Sequence, residues 1–473
     1  MPYRSLAATS RLIAACALLD AGCNEAEARP EMVVHVDMDM LLVSQLTDDM
    51  SQAALFDTLR IEVRADDAER SLLDVRQVAI GSSEDLPFSF GIASESGDRV
   101  HIRVRAFRAA LATAGETSAA VSPDPVAVLD PIPQITVDRV VTLSLRASGV
   151  EQVNVTLHGE CVGLPVRFGT DEITTCIDES EREASSTRGI ADGPKPQTEA
   201  GTWWRAAIVP CEGSAPEGSR CVPGGLSIIG DPLFVARHEL EEDALPARMT
   251  WLAPMFMDET EMTIGMLRGL IDNDYAGPWP DPKDPGDAAD QLCTFDPSSA
   301  DDMPINCLTK EAAFAMCAQR GGTVPTEAQW DHAARGRGRR LMFPWGNDLP
   351  DCWMASFGRF PNAGCDDELG LEPVKSHPAS ETRNGDVSVD GVADLAGSLT
   401  ELTRDVVGDY DGPCWHTGDS GISENPTCDG VGSTIARGGA WAMPVGDLAL
   451  PIRRTFSSSD SKYGFRCVFE ATP

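Results

Sequence analysis

The sequence predicts an α+β chain in two parts: an N-terminal all-β sandwich, then a loop-rich mixed domain with few helices. Three observations carry that reading. Apolar and polar residues alternate at period two from Met32 to about Leu157, a polar stretch covers 177–202, and the composition changes at Trp203. All nine Trp, and ten of the twelve cysteines beyond Cys23, lie at or after that residue. A domain poor in regular structure needs such aromatic packing and cross-linking. At 473 residues the chain is also too long for one ordinary core.

The first element is an export segment. Arg4 and Arg11 precede a short apolar run from Leu12 to Leu19, followed by "AGC" and an acidic, small-residue stretch. That order is a secretory signal over residues 1–23, and the run is too short to stay in a bilayer as a helix. "LLDAGC" is similar to a bacterial lipoprotein cleavage box with Cys23 as the lipidated residue, although Asp20 stands where a small or apolar residue is usual. Asn24 after it directs the expected anchor toward the outer membrane or cell surface.

The sandwich, 32–176, follows from five segments. "MVVHVDMDMLLV", "TLRIEVRA", "RVHIRVRAF", "RVVTLSLRA" and "QVNVTLHG" alternate, with Gly, Pro, Asp and Ser clusters between them. Their spacing favours an immunoglobulin-like or transthyretin-like type. Residues 177–202 cannot bury enough surface to offset their ordering entropy and read as a flexible linker.

In 203–471 three helices are expected. "MTIGMLRGLID" spans 262–272; "TKEAAFAMCAQRG" spans 309–321, with Thr309 as N-cap and glycines after its end; "PTEAQWDHAARG" spans 325–336, capped by Thr326. The twelve cysteines beyond Cys23 are an even set in an exported chain, which reads as disulfides. The pairs 161/176, 211/221, 352/365 and 414/428 are close in sequence, as local staples would be. None forms a Cys-x-x-Cys motif, so thiolate chelation of zinc is not expected.

Charge removes one class of partner. Against 38 Lys and Arg stand 74 Asp and Glu, a formal net charge of −36. Such a surface repels phosphate backbones, so nucleic acid is not a partner.

Seven segments in order carry a family resemblance: "VPGGLSIIG", "FMDETEMT", "AFAMCAQRGGTVPTEAQWDHAARG", "FPWGN", "DLAGSLTELTRD", "ARGGAWA" and "YGFRCV". From about 204 to 471 the chain resembles the formylglycine-generating enzyme (sulfatase-modifying factor) domain, whose fold is related to C-type lectins. The resemblance implies a disulfide between Cys317 and Cys467. It also implies a catalytic pair of cysteines two and seven residues after the Trp of "RGGSW", which in catalytic members hold copper(I) for oxidation of a client cysteine. Here those positions are Met443 and Leu448. A thioether is a soft ligand, but Leu ligates nothing, so copper is not expected.

The family's calcium-associated motif departs as well. Ser398 replaces its Asn, Thr400 and Leu402 replace its two Trp, and Glu401 and Asp394 remain. Glu401, Asp366 and Asp367 are the oxygen ligands a calcium ion would find. Arg335, Arg437 and Arg466 are expected to fix loops through carboxylates and carbonyls. Trp330, Trp345 and Trp441 are expected to pack the loops, each with one donor to satisfy.

The expected function is therefore a non-catalytic binding or structural module on a surface lipoprotein, with a protein or glycan ligand. Trp415, His416, Trp441 and Met443 are the expected groove. The alternative is an oxidase or other enzyme of the same superfamily with different ligands. Iron-dependent relatives take their histidines from a His-x-x-x-His-x-Glu cluster in an added helical domain, and no such cluster occurs here.

Overall fold

The computed structural model describes residues 31–67, 69–93, 99–114, 129–144, 150–169, 173–178, 182–184, 198–231, 244–284, 286, 292–339, 341–360, 365, 369–415 and 420–471. The export segment with Cys23 lies outside them, as do Asp366, Asp367 and His416. Among the described residues no helix is long and apolar enough to cross a membrane.

The alternating segments form two packed sheets. Their strands are β1 (Glu31–Met38), β2 (Thr58–Ala65), β3 (Leu72–Ala79), β4 (Phe88–Ala93), β5 (Arg99–Phe107), β6 (Val137–Ser144) and β7 (Val150–Leu157). One sheet has the order β4-β1-β7, with β1 and β7 parallel; the other is antiparallel, in the order β3-β2-β5-β6. Every second residue faces the space between them: Met32, Val34, Val36 and Met38 from β1, and Val100, Ile102, Val104 and Ala106 from β5. The other face of the second sheet carries ions. Glu62 is fully buried there and accepts hydrogen bonds from Arg64 and Arg105.

The described residues of the C-terminal part form short strands and three α-helices. Its strands are β8 (Ser219–Val222), β9 (Gly225–Ile229), β10 (Arg248–Leu252), β11 (Met255–Asp258), β12 (Thr400–Val406), β13 (Ser423–Glu424), β14 (Thr434–Arg437), β15 (Arg453–Thr455), β16 (Tyr463–Gly464) and β17 (Val468–Glu470). They form sheets in the orders β8-β11-β17, β9-β10-β13 and β15-β14-β12-β16. The helices are α1 (Ile264–Asp272), α2 (Lys310–Gln319) and α3 (Glu327–Ala334).

Each helix begins just after a capping threonine: Thr309 and Thr326 are the expected caps, and Thr263 is a third. Thr263, Thr309 and Thr326 accept hydrogen bonds from the peptide N–H groups of Met266, Ala312 and Gln329 at 3.2, 3.3 and 3.1 Å. Gln329 returns a bond to the Thr326 N–H, completing a capping box.

All twelve cysteines among the described residues are paired. The four local staples form as expected, Cys293 pairs with Cys307, and Cys317 on α2 pairs with Cys467 near the end of the chain.

The expected linker, 177–202, falls largely outside the described residues, but its described pieces are not detached. Arg182–Ala184 pairs with the strand Ile173–Cys176. Gly201 and Trp203 donate peptide hydrogen bonds to the carbonyl of Asp39 at 3.0 Å, and Ala200 and Trp203 enter the sandwich core. The reason is apolar: Trp203 ends the polar run and buries its ring edge-on to Phe56, with the indole N–H donated to Glu160.

The same apolar cluster continues into the C-terminal part through Ala206, Leu226, Ile228, Met249 and Ile422. Ser51 fastens this joint, donating its hydroxyl to Leu226 O at 2.7 Å and its peptide N–H to Ala206 O at 2.9 Å. Sandwich and C-terminal part thus share one core. Replacing Trp203 by Ala is expected to lower unfolding stability by about 3–5 kcal/mol, the range for deleting a buried Trp. Denaturant unfolding followed on both parts should show them weakened together; loss confined to one part would refute a shared core.

Candidate functional site

The site region is built around α3 and the turn after β14. Glu327 opens α3 and is fully buried, with no water to solvate it. Its Oε1 accepts from Arg437 at 2.7 Å, from Arg453 at 2.8 Å and from the Tyr410 hydroxyl at 3.0 Å; its Oε2 accepts from Arg453 at 2.9 Å. Burial pushes this carboxyl upward, but Arg453 and Arg437 outweigh it and hold the pKa below the ordinary value. Arg437 also pairs with Asp331 one turn along α3 and donates to Leu450 O at 2.7 Å. One guanidinium thereby joins α3, β14 and the segment before β15.

A second buried pair lies on the other side of Trp330. Glu401 accepts from Arg466 through both oxygens, at 2.6 and 2.7 Å, and from the Trp330 indole N–H at 3.0 Å. Arg466 spends its remaining donors on the carbonyls of Asp258, Glu259, Ala393 and Asp394. Arg335 in turn donates to Gly230 O and Asp231. The three arginines fix loops, as expected. Trp345 and Trp441 also satisfy their indoles, on Asp348 O and Ser461 O.

Between these pairs the backbone turns tightly. Gly438 has φ +80°, in the left-handed region, and a side chain there would meet Leu395 O. At Gly439 a Cβ would lie 2.4 Å from the side chain of Leu448. The glycines therefore bring the turn down onto Leu448. That residue is fully buried in an apolar cluster with Phe343, Ala355, Phe357, Ala396, Ala449 and Ile452. Met443 is half-buried, with its sulfur 4.0 Å from the Thr400 hydroxyl.

Two expectations need correction. Trp415, Trp441 and Met443 do not line a common groove. Trp415 packs edge-on to Tyr410, ring centroids 4.9 Å apart, within an apolar cluster that excludes the other two. Trp441 is 3% exposed and offers no face to a ligand. Loops rich in Trp bury them to gain core, which is what both do. Glu401, expected as a calcium ligand, has both oxygens engaged by Arg466, so it is a structural carboxylate. Among the described residues no group of three or more His, Cys, Asp or Glu side chains could hold a metal ion.

Accessible chemistry lies elsewhere, in a cleft of about 680 Å³ on the outer side of 352–359. Its back wall hangs on the turn after β14, because Arg359 N–H donates to Trp441 O at 2.8 Å and Gly358 N–H to Met443 O at 3.0 Å. Trp353 is 70% exposed at its mouth, beside the Cys352–Cys365 staple, with the Arg383 guanidinium over its ring at 5.2 Å. Glu372 lies inside, accepting from Arg359 at 2.9 Å and from His377 at 2.9 Å. Ser356 is buried there; its hydroxyl makes no well-formed hydrogen bond, although it is close enough to Glu372 to help lower that carboxyl's pKa. Neither Trp353 nor His377 stands in a recognisable motif, and only the tertiary fold brings them together.

Residues 209–471, more than half of the chain, match the family model of the sulfatase-modifying factor enzyme 1-like domain. The formylglycine-generating enzyme of Mus musculus is 29% identical over 187 residues, covering 36% of this chain and 45% of that protein. The inactive C-alpha-formylglycine-generating enzyme 2 of Mus musculus is 32% identical over 106 residues, covering 22% of this chain and 32% of that one. Hercynine oxygenase of Mycolicibacterium smegmatis is 25% identical over 252 residues, covering 48% and 55%. This chain thus spans about half or less of the length of the curated relatives it matches. Among solved structures, PvdO from Pseudomonas aeruginosa is 19% identical, covering 52% of this chain and 92% of that one, with a TM-score of 0.41.

Replacing Glu327 by Gln removes the buried carboxylate that Arg437 and Arg453 share, and is expected to cost about 3–5 kcal/mol of stability. Equilibrium unfolding measures it; a loss under about 1 kcal/mol would show that water reaches the pair.

Proposed function

This chain belongs to the sulfatase-modifying factor enzyme 1-like family, and from that premise we propose that it is a non-catalytic binding module, exported and held at the outer membrane or cell surface by lipid on Cys23. The observation that carries this reading is the burial of Leu448. The family resemblance puts a copper-holding thiol at that position, and here a side chain with no ligating atom fills it against Phe343 and Phe357. Met443 alone supplies one weak soft ligand. No thiol among the described residues is left to replace the pair, since all twelve form disulfides.

The relatives include proteins named as active generators of formylglycine, one named inactive and an oxygenase. Family membership by itself therefore does not choose between chemistry and binding. What favours binding is the loss of reactive groups from a scaffold whose structural ion pairs are intact. The ligand proposed is a protein or a glycan met outside the cell. The anchor is supported by cysteine arithmetic: of 14 cysteines, the six disulfides use twelve and leave Cys16 and Cys23.

Two measurements test the proposal. Copper(I) titration of the full chain against a chromogenic chelator should show no stoichiometric binding, and a sulfatase peptide should keep its cysteine under oxygen. Tight copper together with formylglycine in the peptide would restore the oxidase reading. For the anchor, Cys23→Ala should move the protein from the detergent-rich to the aqueous phase on cloud-point partition; an unchanged distribution would rule out lipid at that residue.

A further inference from the structure

The cleft beside the Cys352–Cys365 staple has features that the binding-module reading leaves unassigned. Its charge is opposite to that of the chain. Among its described lining residues, Arg359, His377 and Arg383 face one carboxylate, Glu372. Arg383 makes no ion pair among the described residues; its guanidinium lies over the exposed Trp353 ring. That arrangement offers a flat apolar surface with a cation beside it.

His377 adds a second cation. Its Nε2 lies 2.9 Å from Glu372 Oε2 and its Nδ1 lies 3.1 Å from Trp353 O. Both partners are acceptors only, so both ring nitrogens must donate, and only the imidazolium does that. Burial pulls the His377 pKa down, but the hydrogen bond and charge of Glu372 outweigh it and hold it above the ordinary value. Asp386 and Asp394 also bear on this ring from the acidic side. Arg359 shares Glu372 with it, and Arg383 lines the same cleft. The protonated ring holds the carbonyl of Trp353, and through it the position of the indole.

The remaining polar lining suits a hydroxylated ligand: Ser376, Ser380 and Asn384 stand at the rim, with the buried Ser356 hydroxyl within. The volume fits one or two small rings.

We propose that this cleft binds a carboxylate carried on a ring, the ring stacking on Trp353 and the carboxylate meeting Arg383 with His377 behind it. A sugar acid and a free aromatic acid both present that ring and carboxylate; the chemistry recognised is the same. This rests on the binding-module reading and gives that module its site. Recognition should weaken as pH rises through the His377 pKa, because the neutral ring must release either Glu372 or the Trp353 carbonyl.

Isothermal titration of the full chain with glucuronate, glucose, benzoate and benzamide tests it. At least one carboxylate should bind at pH 6, about tenfold or more tighter than its neutral counterpart, as expected for loss of one charge-assisted contact. Arg383→Ala and Trp353→Ala, both at exposed positions, should each weaken binding about tenfold with an unchanged thermal midpoint. Binding should also weaken between pH 6 and pH 8.5, and His377→Gln should remove that dependence. Glucuronate alone binding identifies a sugar acid; benzoate alone identifies an aromatic acid. Equal affinity for neutral and charged probes, no binding of any probe at millimolar concentration, or binding indifferent to Arg383→Ala overturns the proposal. Such a failure leaves the copper and peptide results untouched, so it is separable from failure of the non-catalytic reading.

Discussion

Glu327 is buried where no water can solvate it, and the rest of the C-terminal architecture depends on how that charge is satisfied. Desolvating a carboxylate costs several kcal/mol even after relaxation, and only close cations with good geometry offset it. Arg437 and Arg453 approach from two strands, and Tyr410 adds a third donor. Once they are in place, α3 cannot shift against β14 or β15 without stranding a charge. Arg437 carries the constraint further, because its bond to Leu450 O fixes the segment that begins at Leu448. Glu401 and Arg466 do the same between β12 and the end of the chain. The disulfide from Cys317 to Cys467 closes that end covalently.

This division of labour separates what holds the turn after β14 from what its side chains present. A reactive cysteine pair on the turn after β14 contributes little to holding the turn, which is set by Gly438, Gly439 and the ion pairs beneath. Leu448 adds apolar contact in a site already dry. That turn serves as backing for 357–359, whose peptide groups hang on Trp441 and Met443. The turn after β14 thus backs a cleft on its far side.

Much of this was legible in the sequence, for reasons that are local. Period-two alternation marked β2 and β5 to the residue, since one face of each is core and the pattern has no other stable reading. The caps Thr309 and Thr326 are readable because a hydroxyl before an apolar-periodic run has a specific backbone partner. Disulfide pairs close in sequence were readable from loop length. The groove was not. Trp415 and Trp441, the expected groove walls, are instead spent on packing, because the loops here have little other core to fold around. Glu401 stands in the resemblance's calcium-associated motif, and nothing in the spacing reveals that its partner is Arg466, 65 residues away. Trp353 sits in one irregular segment and His377 and Arg383 in another, so the cleft exists only once the two are folded together.

A net charge of −36 opposes an anion in general, and distance decides whether it opposes one in the cleft. At physiological salt, charges farther apart than about 8 Å are largely screened, whereas a guanidinium touching its ligand is not. The acidic surface therefore opposes approach more than it opposes residence. Most arginines of this protein are committed to carboxylates within the fold, as at Glu62, Glu327 and Glu401. Against that background Arg383, unpaired among the described residues and laid over an exposed indole, is a cation placed for something outside the chain. Its local field acts over one or two contacts, which is the scale of a small ring carboxylate and not of a polyanion.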